Sequence, residues 1–278
     1  MAPVQSLLIG FILIPSIFVA WMSLTHSSLG RETEFIGLAN YVTILTDPIF
    51  WRSFWNTFIV VNAIVYGELI LGLVLALAFA GWMPFKKIAI SIILAPFAIT
   101  HVSAVVMWRY MLEPDAGIIN LLLEFIGFGQ LYWTVMPSHA LVVVSLMGIW
   151  LHLPFTFLIL YAAATTLPNE LIEAAYVDGA TSWQVVRQVK LPLLMPAILV
   201  ALLFRYIIAM RLFTEVWLLT EGGPARLTEV LAVYLYRQAF RYHDFGVAAA
   251  TGWAILVLSL IIAIPYLVKM YRTMFRDV

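Results

Sequence analysis

Six apolar stretches, each long enough to cross a bilayer, dominate this chain: about Val4 to Leu24, Phe54 to Ala80, Ile88 to Leu112, His139 to Leu167, Leu194 to Leu219 and Gly246 to Met270. A spanning helix needs roughly 20 apolar residues. Inside lipid the backbone must satisfy its own hydrogen bonds, so runs of this length fold as helices. A composition of 64% hydrophobic and 11% charged residues excludes an ordinary soluble domain. The expected fold is therefore all-α and polytopic, with six transmembrane helices in a single domain over 1–278. The first stretch lacks a basic leader and a clear small-residue cleavage pattern, so it reads as a membrane helix rather than a signal peptide.

Short cytoplasmic loops favour Lys and Arg. Lys86 and Lys87 follow the second stretch, Arg187 and Lys190 the fourth, and Lys269, Arg272 and Arg276 the sixth. That pattern predicts cytoplasmic termini. The opposite loops hold most acids but also Arg31, Arg52, Arg226, Arg237 and Arg241. Cysteine is absent, which removes disulfides, thiolate metal sites and thiol nucleophiles. A formal net charge of zero gives no global attraction for nucleic acid.

Between the fourth and fifth stretches lies a polar segment, about 168–192. Pro168-Asn169-Glu170 suits a helix start, with an acid near the positive end of the dipole. Leu171, Ala174, Ala175 and Val177 fit one short helix, and Gly179 permits the conformation that ends it. Thr181 or Ser182 can cap a second helix running to Leu191-Pro192. The expectation is a cytoplasmic helix-turn-helix, although periodicity alone fits an interfacial amphipathic helix equally well.

The order Glu173-Ala174-Ala175-Tyr176-Val177-Asp178-Gly179-Ala180, followed by Leu191-Pro192 and Pro196, resembles the coupling loop of permease subunits of bacterial binding-protein-dependent ABC importers. Gly37-Leu38-Ala39-Asn40-Tyr41, Phe50-Trp51, Asn56-Thr57, Trp108 with Pro114, Gly117 and Asn120, and Thr220-Glu221-Gly222-Gly223-Pro224 with Thr228-Glu229-Val230 extend the likeness to the carbohydrate-uptake branch related to the maltose permease. Glu221 stands where that branch often has Gly or Asn. The resemblance implies the first of two permease subunits in the bacterial cytoplasmic membrane. It implies a second homologous permease, two copies of an ATP-binding subunit, and a periplasmic or lipid-anchored substrate-binding protein. Surrounding membrane lipid completes the set. It implies no cofactor on this chain, and assigns Glu173, Ala174, Ala175, Asp178, Gly179 and Trp183 to docking on the ATP-binding subunit.

Ionisable residues inside spans are expensive and tend to face a cavity or a partner. The candidates are Glu68, His101, His152, Arg205, Arg211 and Glu215, with an Arg211–Glu215 pair expected from the i, i+4 spacing. Resemblance to the maltose permease places substrate contacts at Phe97 and His101, at Leu151 and His152, and at Arg205, Ala209 and Leu212. Cationic side chains at His101, His152 and Arg205 would suit an anionic sugar derivative, whose oxygens match the Arg fork. The competing reading has Arg205 snorkelling, or pairing with Glu68 or with the second permease, and each histidine satisfied in the core; it leaves a neutral oligosaccharide or polyol as substrate.

No P-loop pattern occurs, so ATP hydrolysis must come from a partner. No metal-ligand spacing stands out either. An intramembrane hydrolase or transferase, with His101 or His152 as general base and Glu68 or Glu215 as orienting group, is a rival, but nothing in the spacing makes a nucleophile-base-acid constellation. A secondary transporter and a noncatalytic adaptor are the remaining alternatives, separated from an importer by dependence on ATP and by transport itself.

Overall fold

The computed structural model describes residues 2–30, 32–81 and 83–274. Arg31 and Arg276, used in the charge argument, lie outside the described residues.

The chain opens with α1 (Ala2–Ser23), followed by a small antiparallel ribbon of β1 (Thr25–His26) and β2 (Glu34–Phe35). Next come α2 (Ala39–Thr46) and α3 (Pro48–Ala80). Asp47 starts α3 by accepting from the Ile49 amide at 2.8 Å, with Pro48 at the first turn, where its missing N–H costs nothing. Then follow α4 (Lys86–Leu94), a tight helical turn at Ala95–Ala98, α5 (His101–Met111) and α6 (Ile118–Phe125). The longest later helix, α7 (Pro137–Thr165), passes through Pro154. Its core lies against α3, where Val60, Ile64, Val144 and Met147 are buried together.

Past α7 come α8 (Asn169–Val177), α9 (Ser182–Val185), a wide π-helical turn at Val186–Lys190 and α10 (Leu191–Ala209). The chain finishes with α11 (Thr214–Thr220), α12 (Leu231–Tyr236) and α13 (Phe245–Met274). Helix α13 packs along α10 and α1. Gly246 makes the close approach at its start possible, since a Cβ there would lie 2.3 Å from the Thr25 carbonyl oxygen.

The protein is thus an all-α polytopic membrane protein. Four helical runs among the described residues are long and apolar enough to cross a bilayer: Pro48–Ala80, Pro137–Thr165, Ser182–Ala209 and Phe245–Arg272.

Three expectations need correction. The third stretch is not one straight helix: it bends by 101° between Lys86–Ala98 and His101–Met111. Pro96 sits in the tight turn at this bend, and Thr100 caps the new helix by accepting from the Ser103 amide. The fifth stretch stops at Ala209 and resumes at Thr214, so Leu194 to Leu219 is a broken element. Finally, the helix after Thr181 does not end at Leu191-Pro192. It continues to Ala209, because the wide turn at Val186–Lys190 accommodates Pro192 without ending the helix.

Candidate functional site

Both breaks in the helices serve one polar cluster. The bend at Ile99–Thr100 puts His101 at the start of α5, and the break at Met210–Phe213 puts Glu215 in the first turn of α11. An acid in that position is favoured by the unpaired amides of the helix start. Glu215 Oε1 lies 3.6 Å from His152 Nε2 of α7 and 4.0 Å from His101 Nδ1. The two imidazoles meet edge to face with centroids 5.2 Å apart. Glu215 therefore does not pair with Arg211; the break rotates the two apart, and the i, i+4 argument fails with the helix it assumed.

One turn further along α7, Thr156 adjoins the second half of the cluster. Arg205 Nε donates to Glu68 Oε1, joining α10 to α3 with both side chains buried. Among the described residues, Glu68 Oε2 and Arg205 Nη2 are buried without a hydrogen-bond partner, and the Thr156 hydroxyl adjoins them. The pair is thus incompletely satisfied, with one acceptor and one donor left over where three helices meet.

Of the seven substrate-contact candidates, Phe97 is 53% exposed in the tight turn before the bend. His101 is exposed and His152 half-buried beside it. Arg205 is closed off by Glu68. Leu151 and Leu212 pack in one core with Met147 and Val216, while Ala209 packs in another with Tyr206 and Leu202. The structure brings the two histidines together around Glu215, the residue that the i, i+4 spacing assigns to Arg211.

The second region is the arm from α8 into α9. Gly179 ends α8 with φ +84°, where only glycine fits without strain, and Ala180 donates to the Ala175 carbonyl at 3.0 Å across the turn. Thr181 then caps α9 reciprocally with Gln184: the Thr181 amide donates to Oε1 at 2.7 Å and the Gln184 amide to Oγ1 at 3.4 Å. Glu173, Ala174, Asp178 and Gly179 are exposed and Ala175 half-buried. Val177 is 87% exposed and Trp183 69%. Two large apolar side chains are thus turned outward on this short arm.

The loop from Thr220 to Val230 is held by a third set of groups. Asn56 of α3 donates to the Leu227 carbonyl at 2.8 Å and the Glu229 carbonyl at 2.9 Å. The Leu231 amide donates to Thr57 Oγ1 at 2.8 Å. Arg226 makes a forked pair with buried Glu229, at 2.7 and 2.6 Å, and this partner raises the Arg226 pKa. Glu221 takes φ +52°, which accounts for the Gly or Asn expected there. Asn40 and Asn120 clamp loops in the same manner: Asn40 donates to the Ser23 and Thr25 carbonyls, and Asn120 to those of Pro114 and Leu131. The motif asparagines are structural ties.

Residues 6–272 match the family described as "Binding-protein-dependent transport system inner membrane component". The chain belongs to that family. As a member it is a multi-pass inner-membrane permease component. It is 33% identical to the sulfoquinovosyl glycerol transport system permease protein SmoG of Agrobacterium fabrum, over 96% of this chain and 86% of that one. It is 31% identical to the trehalose/maltose transport system permease protein MalF of Thermococcus litoralis, over 95% and 90%. Among solved structures, a chain of a bacterial alginate ABC transporter, in complex with its alginate pentasaccharide-bound periplasmic protein, superposes with a TM-score of 0.86 at 24% identity. That match covers 98% of this permease and 92% of the other chain, and it shows a shared fold.

Proposed function

We propose that this permease is a six-span subunit of an ATP-driven importer for a sugar or sugar derivative, the α1 and bent α4–α5 elements completing the four long helices. Both termini would lie in the cytoplasm. The observation that carries this reading is the arm at 169–183, with Val177 and Trp183 presented to solvent on a turn fixed by Gly179 and Thr181. It is shaped to seat in a cleft of a soluble ATP-binding subunit, present in two copies. ATP binding there would move the arm, and α9 continues without a break into α10, so the motion would reach Arg205. A second permease would close the pathway, and a substrate-binding protein would deliver cargo. Alternating access needs two states with different contacts to the cargo.

The substrate would meet Phe97, whose ring suits the apolar face of a pyranose, and His101. Arg205 is neutralised by Glu68, which supports a neutral saccharide whose hydroxyls bond His101, His152 and Glu215. The likeness to SmoG and the two histidines support the second reading, an anionic sugar derivative; it requires Arg205 to leave Glu68 in the other state.

The test is ATPase activity of the complex, reconstituted with its partner permease, ATP-binding subunit and binding protein, against neutral, carboxylated, phosphorylated and sulfonated sugars. Stimulation by neutral sugars alone supports the first reading and by one charged class the second. Failure to stimulate with any sugar overturns the sugar assignment.

A further inference from the structure

The polar cluster at the two breaks is graded in depth. The His101 side chain is 53% exposed, that of His152 14% and that of Glu215 5%, so an approaching molecule meets the histidines first and the carboxylate behind them. Glu215 is held in place by its neighbour Val216, which packs in one core with Met147 and Leu151 of α7 and Val105 of α5.

Formal charge around the cluster cancels everywhere except at Glu215. Arg205 is matched by Glu68, both buried. Arg109, the next cation on α5, lies ~12 Å along the helix from His101 and donates to the Leu218 carbonyl. Arg211 lines the groove between α10, α12 and α13. Neutral histidines therefore leave the cluster negative, and a single shared proton makes it neutral. A positive cluster needs both rings protonated, and two imidazolium rings with centroids 5.2 Å apart repel each other.

The same carboxylate decides which way the rings present their protons. His101 turns Nδ1 and His152 turns Nε2 toward Glu215 Oε1, at 4.0 and 3.6 Å. In a neutral imidazole one nitrogen donates and the other accepts, and the N–H takes the side facing a carboxylate. His101 Nε2 and His152 Nδ1 are then acceptors. A sugar hydroxyl can donate to them; a carboxylate or sulfonate oxygen, which only accepts, cannot.

We propose that Glu215 sets charge selectivity in this permease: it fixes both histidines as acceptors for sugar hydroxyls and turns anionic sugars away. This role rests on the sugar-importer reading above, and within it selects the neutral cargo. The histidines, which as cations would attract an anion, become part of the barrier to one.

The experiment is competition binding, by saturation-transfer NMR, to the two permeases and ATP-binding subunits assembled in nanodiscs. The substrate-binding protein is left out, since its own preference would mask that of the permease. The probes are pairs that differ only at C6: glucose and glucuronate, galactose and galacturonate, mannose and mannuronate. The wild type should prefer the neutral member of each pair it binds. Glu215→Gln should cut that preference about tenfold, equivalent to ~1.4 kcal/mol, while Glu215→Asp, which keeps the charge, should retain most of it. His101→Lys puts a donor-only cation at the most exposed of the three positions, and should weaken the preference in the same direction without touching the buried carboxylate. A wild-type preference for the uronates, or equal preferences in the wild type, Glu215→Gln and His101→Lys, overturns the role of Glu215 and leaves the sugar reading intact. No binding of either member of any pair overturns the sugar reading, and the role of Glu215 with it.

Discussion

Arg205 and Glu68 meet through a single nitrogen and a single oxygen, Nε to Oε1, between α10 and α3. Removing either partner alone strands a buried charge, whereas removing both does not. Arg205→Ala and Glu68→Ala should each lower the stability of the assembled complex by about 3 kcal/mol. The double variant Arg205→Met with Glu68→Leu should recover most of that loss, read as thermal unfolding midpoints. If the double variant falls as far as the sum of the singles, the pair is not an isolated unit.

The same pair governs selectivity in the neutral-sugar reading. Glu68→Gln would leave Arg205 with uncompensated charge, so transport should shift toward an anionic analogue of the cargo. Competition uptake in vesicles measures the shift. An unchanged preference would place Arg205 outside the pathway.

On the arm, Trp183→Ala should weaken binding of the ATP-binding subunit by about 2 kcal/mol, roughly thirtyfold, the scale of an aromatic interface anchor. Gly179→Val forces a β-branched residue to φ +84° and should uncouple ATP hydrolysis from uptake. Thr181→Ala removes one half of the reciprocal cap and should cost about 1 kcal/mol. Pull-down affinity and the ratio of sugar moved to ATP hydrolysed separate loss of docking from loss of transmission.

Tyr234 is buried and donates to Asp47 Oδ2 at 2.8 Å, and burial first, then that bond, raises its pKa above the usual phenol value of 10.0. A raised pKa favours the protonated folded state. This contribution is complete below pH 10 and is lost as pH climbs toward the folded value, at up to ~1.4 kcal/mol per unit. Tyr234→Phe should be less stable at neutral pH, yet its unfolding midpoint should decline less steeply above pH 10.

Hydrophobic run length was enough to read the long helices, since α3, α7 and α13 carry no break that overrides it. Where the chain breaks, legibility depended on local chemistry. Pro96 marks the 101° bend. Met210, Arg211, Leu212 and Phe213 contain neither Gly nor Pro, and the interruption there accompanies long-range contacts of Glu215 with α5 and α7. Spacing rules assume a continuous helix, so they paired Glu215 with the wrong residue. In the arm the reverse held: Gly179 and Thr181 act locally, and both were readable. Pro192 misled: it follows directly on the wide turn at Val186–Lys190, and the helix runs on through it to Ala209.

Helix α3 has 33 residues, about 50 Å end to end. Near its start Asn56 and Thr57 grip the loop from Thr220 to Val230, at mid-length it carries Glu68, and toward its end Phe79 stacks edge-on against Phe157. No proline after Pro48 interrupts it. A continuous helix held near both ends transmits a push instead of absorbing it. Pressure applied to that loop by a docking protein would arrive at Glu68 as an axial displacement, and the single contact to Arg205 is the first joint it would load.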